Sequence, residues 1–312
     1  MAAPPPAWAH SSRRPGAVTD SAADAARETG TVLDRIVADR RLRLAEDRRA
    51  RPQAALAEMA AARSAVVPFA GRLREGRSAA PAGAQVRLIA EIKRASPSRG
   101  VIDANLDAAA QAREYADAGA SGVSVLTEPT FFGGSIEDLV SVADAFAGDA
   151  DRPALLRKDF VFDPYQVAEA RAHGADAVLL IVMMLEPAAL TDLIALIENH
   201  GMEALVEVHD EDELGAAIDG GARVVGVNNR DLRTFDEDLG TFERLAPLAL
   251  EAAPSATLVA ESAIAHAADA RRMADAGAHA LLVGEALVRT GDIPAKAREL
   301  MLVPAAQRAG AP

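Results

Sequence analysis

The chain contains no cysteine, which excludes a disulfide framework, a thiolate nucleophile and a thiolate metal site. It also lacks long apolar segments. The longest, residues 177–185, is far short of the roughly 20 residues of a membrane span. The first 30 residues are rich in Ala, Pro, Ser and Arg and carry no apolar core of a secretory signal, so a cytoplasmic location is the expectation. Excess positive charge is missing too. The net charge of −13 disfavours nonspecific nucleic-acid binding, and an anionic substrate would need positive charge gathered locally inside an acidic shell. There is no G-x-G-x-x-G and no G-x-x-x-x-G-K-[ST], the usual phosphate-cradling loops. The six histidines show no ligand spacing, so neither a metal nor a cofactor is expected; His209, beside Asp210, is the one place that keeps a metal in view.

Lysine is nearly absent. Among 33 basic residues only Lys93, Lys158 and Lys296 are lysines. Arginine keeps its charge permanently, whereas a desolvated lysine can give up a proton near neutral pH. A lysine that persists in such a chain is either a leftover surface residue or one that arginine cannot replace, and position decides between them.

What the chain does contain is a repeat. Gly-Ala pairs at Gly119-Ala120, Gly174-Ala175, Gly221-Ala222 and Gly277-Ala278 recur about every 50 residues. Each follows a helix-like stretch (109–118, 165–173, 211–220 and 267–276) and leads into a strand candidate (121–127, 176–182, 223–229 and 280–285). Glycine suits the left-handed position that ends a helix. One further strand candidate lies between each pair (154–159, 204–209 and 257–262), and 86–92 precedes them all. The strands are continuously apolar, as in Val178-Leu179-Leu180-Ile181-Val182, which fits parallel strands covered by helices. Eight alternating units predict an α/β fold, a (β/α)8 TIM barrel. A doubly wound open sheet gathers ligands at the ends of two or three strands; here polar residues crowd six strand ends, and only ring closure brings them together. Two extra N-terminal helices are predicted over 31–49, with Thr31 as N-cap, and 53–63. One domain is expected over 31–304, between a disordered Ala/Pro-rich tail at 1–30 and a short C-terminal tail at 305–312.

The polar strand ends carry the chemistry. Alternation puts Glu91 and Lys93 on one face of the first strand, Leu156, Lys158 and Phe160 on one face of the third, Leu205 and Glu207 on the fifth, and Asn228 and Arg230 on the sixth. In a barrel these faces meet at the C-terminal mouth, where catalytic residues of this fold sit. Each residue alone can be a satisfied strand-end ion pair, but burying so many charges without function is costly. The loop after the first strand, with Ser96, Pro97 and Ser98, can fold over a ligand. After the seventh and eighth strands come small residues, Ser262-Ala263 and Gly284-Glu285-Ala286, where backbone N–H groups can approach a phosphate at the start of a short helix over 285–289. The aromatics in Phe131-Phe132-Gly133-Gly134 and Phe160 suit an aromatic pocket or the core equally.

The stretch Ile89-Ala90-Glu91-Ile92-Lys93-Arg94-Ala95-Ser96-Pro97-Ser98 resembles the signature of the indole-3-glycerol phosphate synthases of tryptophan biosynthesis. Ser124-Val125-Leu126-Thr127-Glu128, Arg157-Lys158-Asp159-Phe160, Val206-Glu207-Val208, Gly226 to Leu232 and Glu261-Ser262 are also similar to that family, over about residues 31–300. The resemblance implies ring closure of 1-(2-carboxyphenylamino)-1-deoxyribulose 5-phosphate with loss of carbon dioxide and water. It implies Lys158 or Lys93 as the acid that polarises the ketone, if desolvation brings its pKa toward neutrality, with Glu207, Glu91 and Asn228 serving the dehydration. Lys93 with Ser96 and Arg230 would hold the substrate carboxylate. Phe132, Phe160, Leu179, Leu205 and Leu232 would hold its ring, and Ser262, Ala263, Gly284 and Glu285 its phosphate. Family members usually have glycine where this chain has Ala263. A phosphosugar isomerase barrel of the same pathway is the alternative, but it does not need the Glu-x-Lys and Ser-Pro stretch of the first strand. A Schiff-base aldolase using Lys158 and a non-catalytic descendant are further readings. No protein partner is specified by the sequence.

Overall fold

Gly119, Gly174, Gly221 and Gly277 adopt left-handed backbones, with φ of 93°, 93°, 91° and 106°, a region where glycine escapes the clash of a Cβ. Each follows a helix (Ala108–Asp117, Pro164–Ala172, Glu211–Asp219 and Ala267–Asp275) and turns the chain into the next strand. The computed structural model describes residues 25–96 and 100–303.

Eight strands follow in order: β1 (Arg87–Ile92), β2 (Gly122–Leu126), β3 (Ala154–Lys158), β4 (Ala177–Ile181), β5 (Glu203–Val208), β6 (Val224–Asn228), β7 (Thr257–Glu261) and β8 (Ala280–Val283). Each pairs in parallel with the next, and β8 pairs with β1 to close the barrel, Arg87 opposite Ala280 and Ala90 opposite Val283. This is the expected (β/α)8 architecture. Strands β2, β4 and β6 are buried along their whole length, as helices covering a closed parallel sheet require.

Among the described residues three helices precede the barrel: α1 (Val32–Ala50), α2 (Gln53–Ala62) and α3 (Phe69–Glu75). Thr31 caps α1, its hydroxyl accepting the Leu33 N–H at 3.1 Å. Leu33, Ile36, Val37 and Leu44 face inward at helical spacing. Helix α3 is unforeseen by the sequence reading, because seven residues between Pro68 and Gly76 are too few to show a period. It closes the floor of the barrel: Ala70 N–H donates to Glu203 at 3.0 Å and Arg74 Nε to Thr257 at 2.8 Å.

Two local differences from expectation concern the mouth. Residues 25–30, read from composition as tail, lie against the barrel: Ala26 bridges Leu185, and Arg27 donates from its backbone to Met184 O (2.9 Å) and from Nε to Met183 O (2.8 Å). Composition cannot register backbone bonds of this kind. The rest of both expected tails, residues 1–24 and 304–312, lies outside the described residues. After β1, Ala95–Ser96 pairs antiparallel with Gly100–Val101 in a small ribbon; Pro97 and Ser98 of the expected loop are also outside the described residues. Among the described residues no helix is long and apolar enough to cross a membrane.

Candidate active site

The inward faces of the strand ends converge as alternation predicts. On β1, Lys93 Nζ lies 2.5 Å from Glu91 Oε1. Room for Glu91 comes from Gly284 just beyond β8, where an added Cβ would stand 2.7 Å from that oxygen. At the end of β3, Lys158 Nζ sits between two carboxylates, 3.4 Å from Glu207 Oε2 on β5 and 3.7 Å from Glu261 Oε2 on β7. Gly226 on β6 leaves the space that Glu261 occupies, since a Cβ there would fall onto Glu261 Oε1. The other oxygen of Glu207 accepts Asn228 Nδ2 at 3.0 Å, and Asn228 Oδ1 accepts the Arg230 N–H at 3.0 Å. Arg230 pairs with the Glu237 carboxylate across its loop.

Burial and charge divide these groups. Burial alone would push Lys158 down, but Glu207, Glu261 and Glu91 outweigh it and hold the ammonium above its ordinary value. The expectation that desolvation brings this lysine toward neutrality is therefore overturned, because sequence does not reveal three carboxylates around one amine. Burial raises Glu207, yet Lys158, His209 and Asn228 more than offset this and keep it ionised. Burial, then the neighbouring Glu207, push Glu261 well above the usual carboxylate range, and Lys158 offsets them only in part. Glu91 is raised by burial but pulled below its ordinary value by Lys93 and Lys158. Two carboxylates flanking one lysine are thus shifted in opposite directions, Glu207 down and Glu261 up, the pattern that separates bases from acids.

The walls are apolar. Phe132 and Phe160 approach at 5.9 Å between ring centroids, and Leu179 and Leu232 line the same cavity with Val32, Leu33 and Ile36 of α1. Leu205 is a correction. It faces the barrel interior, fully buried, with its side chain against Gly226, and it does not line the cavity. It lies two residues before Glu207 on the same strand face, one layer below the mouth. Ser96, Arg230, Ser262, Gly284 and Glu285 line the cavity as expected. Ala263 instead lines an adjoining outer cavity of about 430 Å³, which shares Lys93, Arg230, Gly284 and Glu285 with the inner one. The short helix beyond β8 is Glu285–Val288. Ser262 and Ala263 both have φ of 62°, two successive left-handed residues that a Cβ makes costly.

Two residues at this mouth are not among the acid–base residues expected from sequence, His209 having been weighed only as a metal ligand. Glu261 enters the sequence analysis only as part of a strand candidate and a family motif, although it ends an apolar strand level with Asn228. His209 follows Glu207 by two residues, which is the signal that places it on the same face; its Nε2 lies 3.4 Å from Glu207 Oε1. Among the described residues no group of three or more His, Asp or Glu is arranged to hold a metal ion.

A profile of one family, described as indole-3-glycerol phosphate synthase, matches residues 33–300. The chain belongs to the indole-3-glycerol phosphate synthase family. It is 48% identical over 271 residues to an indole-3-glycerol phosphate synthase of Roseiflexus sp. (strain RS-1), covering 86% of this chain and 98% of that one. With the synthase of Parafrankia sp. (strain EAN1pec) identity is 54% over 209 residues, covering 67% and 75%. The synthase family thus spans the barrel and most of α1. Among solved structures, a 3-hexulose-6-phosphate synthase from Salmonella typhimurium superposes with a TM-score of 0.54 at 14% identity, over 70% of this chain and 98% of that one. That likeness shows the shared barrel fold alone.

Proposed function

We propose that this chain converts 1-(2-carboxyphenylamino)-1-deoxyribulose 5-phosphate to indole-3-glycerol phosphate, carbon dioxide and water, from a single catalytic domain over residues 31–304. The observation that carries this reading is Lys158 held between the carboxyl groups of Glu207 and Glu261 beneath an aromatic wall. The acidic chain with a lysine- and arginine-bearing mouth supports a small phosphorylated anion, rather than nucleic acid, as the partner. A cytoplasmic location, with no cofactor, completes the proposal.

Ring closure begins when the carboxylate-bearing aromatic carbon attacks the ketone carbon. The carbon–carbon bond forms as the carbonyl oxygen takes up negative charge. An alkoxide is far more basic than an amine, so the high proton affinity of Lys158 keeps its proton until that moment and then releases it downhill. Neutral Glu261 is placed to return a proton to the amine. Breaking the bond to the carboxylate then expels carbon dioxide and restores the aromatic ring. Dehydration needs an acid for the departing hydroxyl and a base for the methylene proton. Glu207, kept ionised, serves as that base with Asn228 orienting it, and the Lys93–Glu91 pair supplies the acid. Lys93, Ser96 and Arg230 receive the substrate carboxylate. Phe132, Phe160, Leu179 and Leu232 hold the ring. Ser262, Ala263, Gly284 and Glu285 border the phosphate.

Carbon dioxide release tests the reading against an isomerase barrel, since isomerisation loses no carbon. Stoichiometric release from the carboxyphenylamino sugar phosphate supports the synthase; turnover of phosphoribosyl anthranilate without release would replace it.

Ala263 adds a specific expectation. Left-handed alanine costs on the order of 1 kcal/mol relative to glycine, and its methyl borders the outer cavity. Ala263→Gly is expected to lower KM and leave kcat unchanged in steady-state kinetics. An unchanged KM would remove this residue from phosphate binding.

A further inference from the structure

His209 makes no contact with the cavity that the proposed reaction uses, yet it is buried beside the carboxylate on which that reaction depends. Its ring spans two acids. Nε2 lies 3.4 Å from Glu207 Oε1, and Nδ1 lies 2.9 Å from Glu213 Oε2. The same Glu213 oxygen accepts the His209 backbone N–H at 2.8 Å, so ring and backbone are gripped together. Glu213 is itself fixed in the first turn of the helix Glu211–Asp219, where its N–H donates to the capping Asp210 at 2.9 Å.

The consequence falls on the two carboxylates around Lys158. Both lie within 4 Å of the same ammonium and both are buried, and Lys158 favours Glu207 through the shorter contact and its hydrogen bond. What differs is the far oxygen. Glu207 Oε1 accepts Asn228 Nδ2 and has His209 Nε2 at 3.4 Å, an ion-pair distance without a hydrogen bond, whereas Glu261 Oε1 is buried with no hydrogen-bond partner. Asn228 is neutral and offers an amide proton only, leaving His209 as the further charge, beyond Lys158, that favours Glu207.

We propose that His209 is a positioning residue for this reaction: held by Glu213 with its ring at ion-pair distance from Glu207, it favours the charged form of the Glu207 carboxylate over that of Glu261. The proposal rests on the synthase reading and deepens it. The anionic groups that face His209 favour its charged form: Glu207 at the end of β5, Glu213 on the following helix and, further off on β7, Glu261. The Lys158 ammonium beyond Glu207 opposes them. Burial favours the neutral ring, but Glu207 and Glu213 outweigh it and push His209 up to about 10. The imidazolium therefore persists through neutral pH and is lost only as pH rises toward that value.

Two isosteric changes test this, with kcat and KM measured from pH 5 to 10. His209→Gln keeps a donor but loses the charge. Its kcat is expected to fall about tenfold or more at neutral pH with KM little changed, and the acid limb of its profile to move up by about one unit or more as Glu207 becomes easier to protonate. Glu213→Gln leaves the ring in place and removes the charge behind it, so its kcat is expected to fall on the alkaline side, where His209 now deprotonates earlier. Profiles of both folded variants that overlay the wild type would overturn the proposal, as would a wild-type His209 ring found by ¹⁵N NMR to titrate near the ordinary value of about 6.5. The NMR titration needs no turnover. A wild-type protein that fails to turn over but shows the charged ring would instead count against the synthase reading alone.

Discussion

Lys158→Arg is expected to lower kcat by about 10²- to 10⁴-fold, the range of a lost general acid, while KM stays within a few-fold. The substitution keeps a positive charge between Glu207 and Glu261, so Glu207 keeps its counter-ion. It removes only the ability to give up a proton, because a guanidinium stays charged at any working pH. Single-turnover kinetics separates the steps: binding should persist and carbon–carbon bond formation should stall. Near-normal turnover would remove Lys158 from the mechanism and leave Lys93 as the first acid.

Arg157→Met is expected to cost about 3–5 kcal/mol of stability, the largest structural effect of a single change near the site. Arg157 is the fully buried neighbour of Lys158 that points to the other face of β3. It donates to Asp159 at 3.0 Å and to Glu169 at 2.7 Å, and from its other nitrogens to Gln166 O and Thr127 Oγ1. Asp159 in turn lies 3.4 Å from Arg40 of α1. Removing the guanidinium strands the buried Glu169 carboxylate and leaves Asp159 with Arg40 as its one cationic partner among the described residues. Asp159 is raised by burial but held below its ordinary value by Arg40 and Arg157. A depressed carboxylate contributes stability above its unfolded pKa and loses it as pH falls. The gap between variant and wild type in denaturant unfolding should therefore narrow below about pH 4. An equal gap at all pH values would show that lost packing, not stranded charge, sets the cost.

The ring of strands was legible because Gly119, Gly174, Gly221 and Gly277 mark four helix ends, and because continuous apolar runs mark parallel strands. Period-two alternation placed Glu91 with Lys93 and put Glu207 and Asn228 at one mouth, contacts that the structure contains. It did not fix depth along the barrel axis, so Leu205 was assigned to the cavity although it lies one layer beneath. Nor could it give the electrostatic outcome. Desolvation of Lys158 was foreseeable from a buried strand end, but the net direction depends on Glu207, Glu261 and Glu91 approaching from three other strands. Glu261 escaped notice as a site residue for the same reason: its role appears only when β7 curls round to face β3. Helix α3 and the contacts of residues 25–30 depend on backbone hydrogen bonds that leave no periodic trace in side-chain pattern.

The central claim is that this mouth closes an indole ring by acid–base chemistry of its own lysines and glutamates. The most direct test is to mix purified protein with 1-(2-carboxyphenylamino)-1-deoxyribulose 5-phosphate in the presence of EDTA and follow absorbance and fluorescence. The account predicts the spectrum of an indole product, formed at a rate that chelation does not change. Folded protein that binds the substrate but forms no indole, or forms it only when a metal is restored, would contradict it.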